Sequence, residues 1–350
     1  MSRQLVRRVG VLAAAVLFAA CTSTGTTSPS ASQSVPESEA PPSAAGSAPP
    51  SEAAFDCSGH SIAYASFGSQ FPFIALVDES VRNASEAAGL ELFFVDNAFD
   101  AQKALTNANL IATRGDIEAV LEFNYYQQTN LVIAETFRDA GIPVIAIDIP
   151  VPGATYYGAD NYAAGKLAGA GLVEAAKQKW GGTVDLLMVE KQSGAGQDLL
   201  QQRTLGIVDG AKQALPSLTD DMIIQFEGGA NVDAAAEAVA TTLTANPDKK
   251  NILIGMLGDS AAIAAANQAE DAGRADQVLT AGQGGDDVAL EALRGTETSF
   301  VGTADYRPTK YGDDIIPLTC DLLAGKQIPP EVFVEHVFLT RDNVAEYYPN

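Results

Sequence analysis

The side chains of this 350-residue chain that can do chemistry gather in short polar stretches, each directly after an apolar run. One stretch carries Gln70, Phe71 and Phe73, another Asn124 and Tyr125, and others Asp148, Asp259, Gln283 and Asp305; Arg203 stands among the helical segments. The mixture is aromatic rings, carboxylates and amides, with few cations. A neutral polyhydroxylated molecule suits it: the CH faces pack on rings, hydroxyls donate to carboxylates, and the same hydroxyls accept from guanidinium and amide N–H groups. Any single Asp or Asn in such a stretch can equally serve as a helix cap.

Other chemistries leave weaker marks. Ser260, Asp286 and His336 stand in the Ser, Asp, His order of one class of serine hydrolase, but the residue two after Ser260 is not the glycine of a nucleophile elbow. His336 falls in the alternation Val332, Val334, His336, Phe338, which predicts one face of a single strand over 331–339. The glycine-rich stretches at 194–196 and 282–285 match neither GxGxxG nor a loop ending in GK[ST]. Carboxylates abound, yet no spacing marks a glycosidase pair. Two histidines and three separated cysteines offer no transition-metal spacing, and no cofactor is expected. A formal net charge of −23 repels nucleic acid and anionic lipid alike.

These stretches need elements to position them, and the hydropathy pattern supplies them. Apolar runs at 61–65, 90–95, 119–123, 144–147, 184–189, 222–226, 252–256, 278–281 and 299–303 predict buried strands. Segments at 101–113, 130–140, 163–179, 199–215 and 233–245 have helical spacing. Asp100 and Asn231 are placed to start helices, and Gly89, Gly141 and Gly273 to end them. Strands alternating with helices predict an α/β fold of doubly wound parallel sheets, whose ligands bind beyond the carboxyl ends of the strands.

The first residues read as an export signal over 1–20. Arg3, Arg7 and Arg8 precede an apolar run of about 12 residues, too short for the ~20 that a membrane-spanning helix needs. The run ends Phe18-Ala19-Ala20-Cys21, which resembles the bacterial lipoprotein box and makes Cys21 the expected lipidation site. Residues 21–56 are dominated by Ser, Thr, Pro, Ala and Glu, the composition of a disordered tether. Losing the signal removes three arginines and no acid, so the exported chain is more acidic still. It keeps Cys57 and Cys320, which an oxidising compartment favours as a disulfide.

From about residue 60 to 340 the chain resembles the periplasmic sugar-binding proteins of the ribose-binding type, the solute receptors of ABC importers. Gln70-Phe71-Pro72-Phe73 is similar to the family's Asn-Pro-Phe-Phe turn, where an aromatic stacks on the sugar. Gly141-Ile142-Pro143-Val144 through Asp148 resembles the strand that ends in a sugar-binding Asp. Gly158-Ala159-Asp160-Asn161 resembles the first crossover, Arg203 with Gly206 the arginine that donates to sugar hydroxyls, and Thr244 to Asp248 the segment before the next strand. Where the family has Gly-Phe-Asp-Gly the chain has Gly282-Gln283-Gly284-Gly285, so Gln283, Asp286 or Asp259 would replace the missing carboxylate.

The resemblance implies a type I periplasmic binding protein fold of two lobes, one from 58–159 plus 306–335 and one from 160–305 plus 336–350. It implies a non-enzymatic, monomeric receptor that is lipid-anchored outside the cytoplasmic membrane and touches it through the anchor alone. The ligand-binding set would be Gln70, Phe71, Phe73, Asn124, Tyr125, Asp148, Arg203, Asp259, Gln283 and Asp305. The partners would be a small neutral sugar or polyol and an ABC permease. A receptor feeding a membrane sensor, and an autoinducer- or nucleoside-binding lipoprotein, share the same features.

Overall fold

The computed structural model describes residues 55–193, 198–229, 231–296 and 299–349. The export signal, Cys21, the tether to residue 54, and the glycine stretch 194–196 lie outside these residues.

The chain begins as β1 (Ser61–Ser66), α1 (Pro72–Ala87), β2 (Glu91–Asp96), α2 (Ala101–Arg114), β3 (Ala119–Glu122), α3 (Gln127–Ala140), β4 (Val144–Ile147) and β5 (Thr155–Gly158). It then forms α4 (Asn161–Trp180), β6 (Leu186–Lys191), α5 (Asp198–Ala214), β7 (Ile223–Glu227), α6 (Val232–Ala245), β8 (Ile252–Gly255), α7 (Asp259–Asp271), β9 (Val278–Gly284), α8 (Asp287–Arg294) and β10 (Phe300–Asp305). The last elements are α9 (Tyr311–Leu323), β11 (Glu331–Phe333), β12 (Val337–Leu339) and α10 (Val344–Tyr347).

The strands form two sheets, ordered β11-β5-β4-β3-β1-β2 and β12-β10-β9-β8-β6-β7. Every pairing is parallel except that of β10 with β12. Parallel strands bury both faces, and the sequence provides for both. In β1, Ile62 and Tyr64 enter the core shared with α1 and α9, while Ala63 and Ala65 enter the one shared with α2 and α3. In the second sheet Leu187 and Leu253 pack toward α4 and α5, and Met188 and Ile254 toward α6 and α7. The helix ends use the anticipated residues: Asp100 accepts from Lys103 N, Asn231 accepts from Ala234 N, and Gly141 takes φ 73°.

This is the α/β architecture of two parallel-dominated lobes. The chain passes between them at 159–160, 306–310 and 334–336. Cys57 and Cys320 are joined as a disulfide with a Cα separation of 5.6 Å, which ties the segment before β1 to α9.

Two elements depart from the sequence reading. The expected single strand over 331–339 is two strands in different sheets, β11 parallel to β5 and β12 antiparallel to β10. His336 therefore lies in a crossing segment and not on a strand face. Strand β5, with the sequence Thr-Tyr-Tyr-Gly, was not anticipated because it is short and its run of apolar character is broken by Thr and Gly.

Candidate functional site

Asp148 follows the last residue of β4 and takes φ 54°, a left-handed conformation that a non-glycine residue adopts only when its surroundings enforce it. They do so here. Asp148 Oδ1 accepts from Ala159 N at 3.0 Å, and Tyr311 Oη donates to Oδ1 at 3.0 Å and to Oδ2 at 3.1 Å. One carboxyl thus fastens the end of β4 to the first crossing and to the start of α9. A Cβ at Gly158 would fall on Asp148 Oδ1, so only glycine lets the crossing pass this close. Burial pushes the Asp148 carboxyl up to about 6, against the Ala159 N–H, the Tyr311 hydroxyl and the Arg203 charge, which hold it down.

Arg203 comes from α5, in the other lobe. Its Nε donates to Asn161 Oδ1 at 2.7 Å, its Nη1 donates to Leu257 O at 2.9 Å, and its guanidinium carbon stands 5.0 Å from the centre of the Tyr306 ring. The helix carrying it is set against α4 with backbone on backbone. A Cβ at Gly165 would strike the Arg203 carbonyl, one at Gly169 that of Ile207, one at Gly206 that of Tyr162, and one at Gly210 that of Lys166. Phe73, at the start of α1, meets Tyr306 and Tyr311 edge-on with ring centres 6.0 and 5.9 Å apart. A Cβ at Gly284 would be 3.8 Å from the Phe73 ring, so this ring of the first lobe abuts the end of β9 in the second. Phe73, Asp148 and Arg203 are thereby brought together around Tyr306 and Tyr311.

The remaining predicted residues divide into two groups. Four are buried and bound within the chain. Asn124 Nδ2 donates to Thr129 Oγ1 and Asn130 Oδ1 at 2.7 and 2.6 Å. Gln283 donates to Met256 O and accepts from Tyr306 Oη. Asp259 Oδ2 accepts from Gly285 N and Asp286 N, while its buried Oδ1 has no partner; burial and the neighbouring Asp286 both raise its titration. Asp305 accepts from Arg307 N and Tyr348 Oη, and burial pushes it up to about 6. The other three lie in the segments that follow the carboxyl ends of β1 and β3. Gln70 is exposed; Phe71 and Tyr125 join Phe67, Phe99, Phe123 and Tyr126 in a cluster of rings with centres 4.9 to 5.5 Å apart.

Glu122, at the end of β3 and next in sequence to Phe123 of that cluster, is 1% exposed. Its Oε1 accepts from Asn97 Nδ2 at 3.2 Å, its Oε2 has no partner, and burial pushes it up to about 8. The hydrolase grouping is not assembled. Asp286 caps Ala289 N, the His336 imidazole bonds to Asp305 O, and no hydrogen bond joins either to Ser260 among the described residues.

Residues 62–327 match the family model described as periplasmic binding protein domain. The chain belongs to that family. Solved structures agree with this periplasmic binding protein fold. An ABC transporter solute-binding protein from Mycobacterium smegmatis with bound glycerol is 23% identical, with a TM-score of 0.70 over 83% of this chain and 97% of that one. One from Actinobacillus succinogenes with bound D-allose is 21% identical, TM-score 0.71, covering 82% and 100%. One from Agrobacterium vitis with bound allitol is 20% identical, TM-score 0.68, covering 83% and 98%. No curated protein matches by sequence. Sequence reasoning gave no site role to Asn161, Tyr306 or Tyr311. Tyr311 is 163 residues from the carboxylate it binds, and no local pattern signals such a pairing.

Proposed function

We propose that this periplasmic binding protein captures a small neutral sugar or polyol between its lobes and delivers it to an ABC importer. The observation that carries this reading is the convergence of Asp148 and Phe73 from one lobe with Arg203 from the other. A ligand touching all three completes its contacts only when the lobes are together, so binding favours closure, and closure is a state that a permease can read. A carboxyl, a guanidinium and an aromatic face are the partners that hydroxyls and CH faces use. Structures of similar fold that hold D-allose, allitol and glycerol support the ligand class. Cys21 carries the lipid that holds the receptor at the outer face of the membrane, and residues 21–56 are its tether.

A thermal-shift screen of monosaccharides, polyols, nucleosides and amino acids tests the reading. A ligand at 100 times its dissociation constant adds about 2.7 kcal/mol of stability. Sugars or polyols are expected to raise Tm; a response to nucleosides or amino acids alone would overturn the carbohydrate reading.

A further inference from the structure

A cavity of about 600 Å³ is lined by none of the three converging residues. It opens beside the crossings, where β5 and the edge strand β11 form one wall, and α4 and α5 the other. Its lining has a definite chemistry. In β11 the period of two puts Glu331 and Phe333 on one face while Val332 packs into the core behind. Parallel pairing sets Glu331 beside Tyr156 and Phe333 beside Gly158, which has no side chain to fill the space. The Tyr156 and Phe333 rings lie 5.8 Å apart, and Phe333 is 51% exposed, although a core position would hide it. From the second lobe come Asp160 and the ring of Tyr162.

Two carboxylates and three aromatic rings thus face one volume, which is within the 300–1,000 Å³ typical of small-molecule sites. No lysine or arginine lines it among the described residues. Two cations flank it: Lys166 Nζ stands 5.9 Å from the centre of the Tyr162 ring, and Arg203 is bound to Asn161. Glu331 has no cationic partner among the described residues, and Asp160 has only the Ala163 N–H. Aromatic faces beside carboxylates without cationic partners attract an organic cation more than a neutral or anionic molecule of the same shape, because ring quadrupoles and full charges act with the same sign.

We propose that this cavity binds a small organic ammonium ion, seated against Tyr156 and Phe333 with its charge toward Glu331 and Asp160. The two walls belong to different lobes, so the occupant favours the arrangement in which both are present.

The test is a calorimetric titration of the mature chain, without sugar, against tetramethylammonium chloride. The controls are tert-butanol, which has nearly the same shape without the charge, and sodium chloride at equal ionic strength. The cation is expected to bind at least tenfold more tightly than tert-butanol, and Glu331→Gln and Phe333→Ala each to weaken it at least threefold. Both positions are exposed, so folding, checked by circular dichroism, is expected to persist; if Phe333→Ala fails that check, Glu331→Gln decides alone. Equal binding of the cation and tert-butanol would overturn the proposal, as would unchanged affinity in the folded variants. Because no sugar is present, neither outcome bears on the carbohydrate reading.

Discussion

Glu122→Gln is expected to stabilise the protein, and by an amount that grows with pH. The glutamate is buried with one hydrogen bond, from Asn97, and an unpartnered second oxygen. Its carboxyl titrates at about 8 in the folded chain against 4.5 when free, because burial disfavours the charge. As pH rises, the unfolded chain sheds this proton first, so the folded state loses ground between about pH 4.5 and 8 and is least burdened below that window. At pH 7 the interval from 4.5 is about 2.5 units, or about 3 kcal/mol at 1.36 kcal/mol per unit. Glutamine has nearly the shape of the neutral acid, can still accept from Asn97, and cannot ionise. Urea unfolding of both proteins by circular dichroism at pH 4.5, 6, 7 and 8 should give a difference near zero at the lowest pH, widening to about 3 kcal/mol at pH 7. Asp148 and Asp305 titrate in both proteins, so subtraction removes them. Parallel stability curves, separated by a constant or by nothing, would refute the assignment of a neutral buried Glu122.

Asp148→Ala and Arg203→Ala are each expected to weaken the best sugar or polyol by roughly tenfold to a few hundredfold, the equivalent of one charged hydrogen bond, as read by calorimetry. His336→Ala should leave that affinity nearly unchanged. Cys57→Ser removes a link across 263 residues of sequence and should cost about 5 kcal/mol in a denaturant titration of the oxidised protein. Gly206→Ala forces a methyl onto the Tyr162 carbonyl and should lower stability by about 1–3 kcal/mol while also weakening ligand binding through Arg203, a pairing visible by urea melt and calorimetry on one sample. Mass spectrometry of the mature N-terminus should find a diacylglyceryl group on Cys21.

The sheets were legible because buried parallel strands are nearly unbroken apolar runs. Predicted strands such as 144–147 coincide with β4, and others such as 252–256 differ from the observed element by a single residue. The stretch 331–339 failed for a physical reason. Alternation reports that a segment is extended with one face buried, but not which sheet buries it, and this segment changes sheets at Val334–His336. The site was partly legible for a related reason. Position after a strand identifies Asp148, Asn124 and Asp259 equally well. It cannot separate a carboxylate that holds the hinge within reach of an arginine's charge from an amide already bonded to Thr129 and Asn130. Arg203 was legible only through the resemblance, since helical spacing says nothing of what its guanidinium reaches.

The glycine contact between α4 and α5 has a mechanical meaning. With no side chains interposed at Gly165, Gly169, Gly206 and Gly210, the two helices have no compressible layer to absorb a relative shift. Helix α4 starts at Asn161, immediately after the crossing, and α5 carries Arg203. A few degrees of bending at 159–160 is therefore delivered to the guanidinium almost undiminished, as through a rigid crank. The arginine's aim is referenced to the crossing through Asn161 as well as to the end of β8 through Leu257 O. Substitutions that retune the crossing will redirect Arg203 even when they lie far from any ligand.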